Sequence, residues 1–502
     1  MSEPTPEILT DSGPAEPATT IVPEDAAGHR KPSSKRRTAV IVGGVVGAGL
    51  VTAAGVALGM TLSGGGAQPE DVLPAGAVAY ADVDFDPAAG QKVNAVRFFR
   101  SFPEVGTRLG SGDDLRSALV DLFTQGSSVD AATQIDPWLG DRAGVALMLT
   151  DGDLEPVAAI QTTDADKARA ELPTLLGTDT GFAVVGDYVV LARTDAEAKQ
   201  FADQGEQTPL ASDPGFAQAV GGLGDGVASF FFDGSQLSDV TSVAGQPLPA
   251  DFSATSYEAA GQVGGIVRFD PKAVELLARS TGSAVAEGAQ TESLVGSLPD
   301  TTLFAAGSAG STKALQKQYS ALVDQLDAVT GMSTEKMLQQ QYDLRVPADL
   351  FTLLGTDRVL AVDGAMSPMG LPDVGYRTLT DPGAAEDLAS RLDALVREWT
   401  SGLGAVVRPT SDGLVVATTP QYAQTLASGA GSLATTPAFR DALPDAAGAS
   451  AMGYLDLDAL QQLLKTFDPS AEPGGWDALR AVGFTATVDG DTANLRARLT
   501  LN

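Results

Sequence analysis

The segment Asp82-Val-Asp84-Phe-Asp86-Pro87 gathers three carboxylates within five residues at the end of an apolar stretch. In an extended chain Asp82 and Asp84 share one face, a spacing that suits a hard cation such as calcium. The glycine that an EF-type loop needs is missing, and acidic residues recur in similar settings at Asp233, Asp270, Asp456 and Asp458. Each stands where an apolar strand gives way to a helical pattern. In VDFDPAAG (83–90) and VRFDPKAVE (267–275) the Asp precedes Pro, which reads as a helix N-cap followed by the first helical residue. A carboxylate there accepts from orphan N–H groups at the positive end of the helix dipole. Thr163-Asp164, Thr194-Asp195 and Thr380-Asp381 read the same way, so capping accounts for this pattern better than metal binding does.

Other motifs have equally plain readings. Asp141-Arg142 and Asp357-Arg358 enter apolar runs, as turn residues with an ion pair would. Ser333-Thr-Glu-Lys336 fits the S-x-x-K pattern of penicillin-binding enzymes, yet the chain contains neither S-D-N nor K-T-G, and Ser333 suits a helix cap. Gly307-Ser-Ala-Gly310-Ser-Thr-Lys313 lacks the Gly-Lys-Ser/Thr order of a phosphate-binding loop. The only histidine is His29, and there is no cysteine. Residues 30–502 therefore cannot build a Ser-His-Asp or Cys-His site, or a zinc centre of thiolates and imidazoles. Paired carboxylates of the glycoside-hydrolase kind stay open. The three tryptophans, Trp138, Trp399 and Trp476, each sit in or beside an apolar pattern that suggests core packing. No catalytic, cofactor-binding or metal-binding residue is assigned, and no cofactor is expected.

The elements that would position any site begin with an apolar run. Thr38–Leu62 is uncharged over 25 residues and follows Lys35-Arg36-Arg37. At ~1.5 Å per residue it is long enough for a transmembrane helix. Basic flanking charge stays cytoplasmic, so the sequence predicts a single-pass membrane protein with a cytoplasmic N-terminus and an extracytoplasmic C-terminus. The preceding 37 residues argue for an uncleaved signal-anchor over a signal peptide cut near Gly65-Gly66-Ala67. Residues 1–37 read as a disordered tail and 63–72 as a linker. Beyond residue 62 stand 27 basic against 58 acidic residues, a surface that repels nucleic acid and anionic lipid.

The outer region repeats itself at a nearly constant offset. Leu73-Pro74 recurs as Leu298-Pro299, LARTDAEA (191–198) as VATTPQYA (416–423), and FFFDGSQL (230–237) as GYLDLDAL (453–460). This order predicts two homologous modules, 73–270 and 298–502, joined by a connecting segment, 271–297. Hairpins are expected in 182–192, 406–418 and 485–499. Helical spacing marks Leu315, Tyr319, Leu322 and Leu326, and again Leu388, Leu392, Leu395 and Trp399. The expected fold class is α+β: one transmembrane helix followed by two modules of mainly antiparallel sheet, with amphipathic helices on one face.

The basic-flanked apolar run, QPEDVLPAGAVAYADVDFDP (68–87), DPWLGDRAGVAL (136–147) and GFAVVGDYVVLARTDAEA (181–198) together resemble domain of unknown function family 3352, uncharacterised membrane-anchored bacterial proteins. The resemblance spans nearly all of 38–502 and implies a membrane-anchored topology without assigning catalytic residues. The expected function is a non-catalytic binding or scaffold protein of the cell envelope. An envelope lipid or glycan carrier is the alternative, and a Ser-Lys or two-carboxylate hydrolase comes third.

Overall fold

The computed structural model describes residues 66–85, 87–102, 131–176, 180–243, 246–247, 261–281, 292–310, 333–367, 370–399, 404–468 and 476–502, with positions 319 and 323. Among the described residues ten strands precede residue 282: β1 (Ala77–Asp84), β2 (Leu139–Thr150), β3 (Asp153–Thr162), β4 (Gly181–Val185), β5 (Tyr188–Ala192), β6 (Ala228–Asp233), β7 (Ser242–Val243), β8 (Gln246–Pro247), β9 (Gln262–Asp270) and β10 (Ala273–Thr281). Eight follow: β11 (Thr302–Ala309), β12 (Asp357–Met366), β13 (Pro372–Leu379), β14 (Val406–Thr410), β15 (Gly413–Ala417), β16 (Ala451–Asp456), β17 (Leu479–Asp489) and β18 (Thr492–Leu501).

Hydrogen-bonded neighbours run β4-β5-β3-β2-β1-β6-β9-β10 in the first half. The second half runs β14-β15-β13-β12-β11-β16-β17-β18. All these pairs are antiparallel; among the described residues only the short β3–β7 contact is parallel. The two halves thus share one strand order, and they meet where β10 pairs with β18 over nine residues, from Ala273–Thr500 to Thr281–Thr492. Leu277–Arg496 is the middle pair, so a local pseudo-twofold axis passes through it.

The architecture corrects the expected one. Among the described residues no helix is long and apolar enough to cross a membrane. The predicted transmembrane segment 38–62 and the predicted disordered tail 1–37 lie outside the described residues. The two halves expected as homologous modules share a strand order, and among the described residues their strands join in a single 18-stranded sheet. The reason is β10. Residues 273–281 fall in the segment read as a connector, and an Asp-Pro pair ahead of them resembles a helix start. They are instead the second arm of a β9–β10 hairpin turning at Pro271-Lys272. Unpaired strand edges are templates for pairing, and the edges of β10 and β18 satisfy one another.

Helices lie on both faces of the sheet, not on one. The relevant ones are α1 (Ala89–Arg100), α2 (Ala165–Leu176), α3 (Asp195–Gln207), α4 (Pro214–Val220), α5 (Pro382–Trp399), α6 (Pro420–Ser428), α7 (Pro437–Ala442) and α8 (Leu457–Phe467). Strand β5 shows why. Its Tyr188, Val190 and Ala192 pack with Phe201 of α3 and Phe216 of α4, while Val189 and Leu191 face Ala168 and Leu172 of α2. In β15, Val415 and Ala417 join Tyr422 and Leu426 of α6, and Leu414 and Val416 face Ala385 and Leu388 of α5. A strand covered on both sides needs an unbroken apolar run, which YVVLA and GLVVA supply. On the α2 side of the sheet, Phe98 and Phe99 of α1 pack their rings against Phe269.

The described part of the predicted linker is packed rather than free. Pro69–Asp71 forms a 3-10 turn with Pro69 buried, and Leu73 behind it is fully buried. A Cβ on Gly205 in α3 would lie 1.9 Å from the Val72 carbonyl oxygen, and one on Gly431 would lie 2.1 Å from that of Leu298. Each half therefore uses glycine to bring its Leu-Pro segment against the following helical layer.

Candidate functional site

Strand alternation sets Tyr80, Asp82 and Asp84 on the same face of β1, beneath the Pro69–Asp71 turn. A Cβ on Gly144 would meet Pro69 at 2.5 Å, so the turn sits directly on β2. There the Tyr80 hydroxyl donates to Glu70 Oε2 at 2.7 Å. The Ser229 amide donates to Asp82 Oδ1 at 3.0 Å, and its hydroxyl donates to the same oxygen. Arg142 Nε donates to Asp84 Oδ2 at 2.7 Å, with both side chains buried. Arg142 Nη1 and the Tyr188 hydroxyl both reach the Ala67 carbonyl, at 3.4 and 2.8 Å.

Desolvation governs the electrostatics. Burial, reinforced by the Glu70 carboxylate, pushes Asp82 up to about 8, against the lowering effect of the Ser229 hydrogen bonds. Burial likewise raises Asp84 to about 6 even though Arg142 pulls it down. Glu70 and Tyr80 are both raised, first by burial. Acids displaced toward neutrality are a common mark of functional sites, but here each carboxylate accepts from a neighbouring backbone or side-chain group. No group of three or more His, Cys, Asp or Glu suited to a metal ion is found among the described residues.

Asp82 binds its proton more tightly in the folded chain than in the unfolded one. Its contribution to stability is thus complete below the ordinary Asp range and is lost as pH rises towards 8. The substitution Asp82→Asn is expected to flatten urea-denaturation stability between pH 5 and 8 and to gain at least ~1 kcal/mol at pH 8, less than one pKa unit's worth of interaction. An unchanged slope would show that Asp82 does not carry this effect.

The other residues marked in the sequence mostly serve structure. Asp233 accepts from the Ser235 amide, Asp456 from Ala459 and Thr194 from Glu197, each as a helix cap. Asp164 and Asp381 accept from the amides of Lys167 and Ala384 in the same manner. Asp270 departs from the expected cap and pairs with Arg498 Nη2 at 2.7 Å. Asp458 accepts from the Asn502 amide at 3.1 Å. Arg142 pairs with Asp84 rather than with Asp141, whose carbonyl accepts from Phe85. Arg358 Nη1 donates to the Leu354 carbonyl, and Asp357 is buried. Ser333 precedes the helix Thr334–Tyr342, and Lys336 is exposed. Trp138 is buried as expected, whereas Trp476 is 50% exposed. Asp86 lies outside the described residues, as do Ser311–Lys313 and the predicted helix positions Leu315, Leu322 and Leu326.

A second polar region escaped notice in the sequence because both halves are needed to make it. On the β10–β18 junction, Glu275, Leu277 and Arg279 stand opposite Arg498, Arg496 and Asn494. Glu275, 2% exposed, accepts from Arg268 Nε at 2.6 Å and from Arg498 Nη1 at 2.7 Å. Cavities of about 280 and 340 Å³ flank this row. The first is bordered by the polar Arg268, Asp445, Thr485, Thr487, Asn494 and Arg496 together with the apolar Leu223, Leu277, Ala278 and Leu495, and the second by Gln218, Arg279, Asp489, Thr492 and the shared Asn494. Arg496 pairs with Asp445, and Arg279 Nη1 donates to the carbonyls of Gln218 and Gly221, at 3.1 and 3.0 Å. The alternation of β18, with Arg496 and Arg498 set against Leu495 and Leu499, was the one signal in the sequence that pointed here.

No protein-family model matches the chain, and no curated protein does. Two solved structures similar to it are crystal forms I and III of TP0453, at 10% and 7% identity with TM-scores of 0.23 and 0.22. Each match covers 44% of this chain, and 81% and 82% of the TP0453 chains. Likeness this slight carries no argument about fold or function.

Proposed function

We propose that the chain is a non-catalytic binding or scaffold protein whose ligand-facing surface is the groove at the β10–β18 junction. The observation that carries this reading is the groove's lining. Guanidinium, amide and hydroxyl groups project from paired strands of both halves, a rigid setting that can hydrogen-bond a polar ligand. Arginine stays protonated and so cannot serve as a general base, and Asp445 is held by Arg496. The threonines Thr485 and Thr487 have no histidine or cysteine to activate them, because residues 30–502 contain none.

Arg268 and Arg496 suit a carboxylated sugar, and glucuronate is a direct probe. The full chain is expected to bind it weakly and saturably, and Thr487→Trp, which fills the groove, is expected to abolish that binding. Binding that survives the substitution would overturn the groove assignment. Ester, amide and glycoside reporter substrates are expected to show no turnover above a heat-inactivated control. Turnover lost in Ser333→Ala or Asp82→Asn would overturn the non-catalytic reading.

A further inference from the structure

The two cavities at the junction follow one another along the strands. Pairing is regular over these residues, so those directly opposite one another share a face. Leu277, Arg496 and Thr485 form one row across β10, β18 and β17. Arg279, Asn494 and Thr487 form the next, and Thr281, Thr492 and Asp489 the third. The first cavity lies over the first two rows and the second over the last two, with Asn494 bordering both. Ligand pockets usually run upward from ~300 Å³. At about 280 and 340 Å³ each cavity alone stands near that lower limit, whereas joined at Asn494 they lie well inside the range.

Their linings differ in charge. In the first cavity Arg268 and Arg496 outnumber Asp445, while in the second Arg279 is balanced by Asp489. Arg268 engages Glu275 through Nε, and among the described residues its two terminal nitrogens have no hydrogen-bond partner. Such a pair of donors suits a carboxylate held by two bonds. Leu223 and Leu277 add an apolar wall to the same cavity, opposite hydroxyl and amide groups. A sugar ring is divided in the same way, with C–H groups on its face and hydroxyls at its edge. At the neck, Arg279 Nε donates to Asn494 Oδ1 at 3.2 Å, which leaves the Asn494 amide nitrogen to donate into the groove. Arg279 is itself held by the Gln218 and Gly221 carbonyls, so this orientation is fixed.

We propose that the groove binds an acidic oligosaccharide across both cavities, with a uronate in the first and a neutral sugar in the second. The proposal rests on the groove being the ligand-facing surface, and adds the length and charge order of what it holds. Arg268 and Arg496 take the carboxylate, Asn494 donates at the linkage between the two rings, and Gln218, Thr492 and Asp489 bond the hydroxyls of the neutral ring. A second carboxylate there would meet the Asp489 carboxylate.

Calorimetric titration of the full chain with glucuronate, a glucuronosyl-glucose disaccharide and the matching diglucuronate tests this. The mixed disaccharide is expected to bind at one equivalent and about tenfold tighter than glucuronate, the worth of one or two added hydrogen bonds. Diglucuronate is expected to fall short of that gain. Gln218→Trp, at an exposed position of α4, fills the second cavity and is expected to bring the disaccharide and glucuronate affinities together. Asp489→Lys, at the exposed end of β17, is expected to turn the preference towards diglucuronate. Glucuronate binding with no gain from the second sugar, or a gain that survives Gln218→Trp, would overturn this inference and leave the groove reading standing. The same holds if diglucuronate binds the native chain as tightly as the mixed disaccharide. Failure of all three sugars to bind would overturn the groove reading and this inference with it.

Discussion

Replacing Arg142 with methionine is expected to cost about 3–5 kcal/mol of folding stability at neutral pH, the usual penalty for removing one partner of a buried ion pair. Asp84 is 2% exposed, and its carboxylate would lose the 2.7 Å guanidinium contact that now offsets part of its desolvation. Burial already outweighs Arg142 and sets Asp84 at about 6, so its folded value lies above its unfolded one. The sign follows from proton linkage. Stability is complete below the ordinary Asp range and declines as pH rises through 6, and in Arg142→Met the decline extends to higher pH. Urea denaturation at pH 4.5 and 7.5 should therefore show a small deficit in acid and a large one at neutrality. The double substitution Asp84→Leu with Arg142→Met should recover most of the loss, since apolar replacement of a buried pair is often neutral. A deficit that is the same at both pH values would sink this account.

The second large effect is expected at the junction. Glu275→Ala leaves the guanidinium groups of Arg268 and Arg498 without their shared buried carboxylate, at a cost of about 3–5 kcal/mol. Its position makes the loss distinctive. Arg268 lies on β9, Glu275 on β10 and Arg498 on β18, so one carboxylate ties the last strand of the second half to a hairpin of the first. Calorimetry should then show one cooperative transition in the native chain separating into two in Glu275→Ala, with amide exchange rising first in β10 and β18. Replacing Arg268, Glu275 and Arg498 together with Met, Leu and Met should restore a single transition. Persistence of one transition in Glu275→Ala would show that the halves are coupled by the backbone ladder alone.

Much of the local structure was readable in the sequence because its causes are local. Gly186-Asp187 closes the β4–β5 hairpin where the sequence placed a turn. The spacing of Leu388 and Leu392 becomes the buried side of α5. Asp233, Asp456 and Thr194 cap the helices that follow them. What misled was also local. AVELLARST follows Asp-Pro and looks like a helix, yet its strand partner β18 lies more than 200 residues away, and a pairing at that separation leaves no mark in a short window. Period-two alternation put Asp82 and Asp84 on one face, but only the Pro69–Asp71 turn folding over β2 buries that face and makes the carboxylates weak acids. The junction groove was harder still, because neither half contains it.

Leu277 facing Arg496 at the centre of the β10–β18 ladder has one more implication. In a dimer of identical chains that position would oppose a residue to itself, and every feature would occur in duplicate. Joining the halves in one polypeptide removes that constraint. Tyr80, Asp82 and Asp84 are matched by Ala305, Gly307 and Ala309, so the acid cluster exists on one side only. The stoichiometry follows: a feature built on one half alone is present once per chain, not in duplicate.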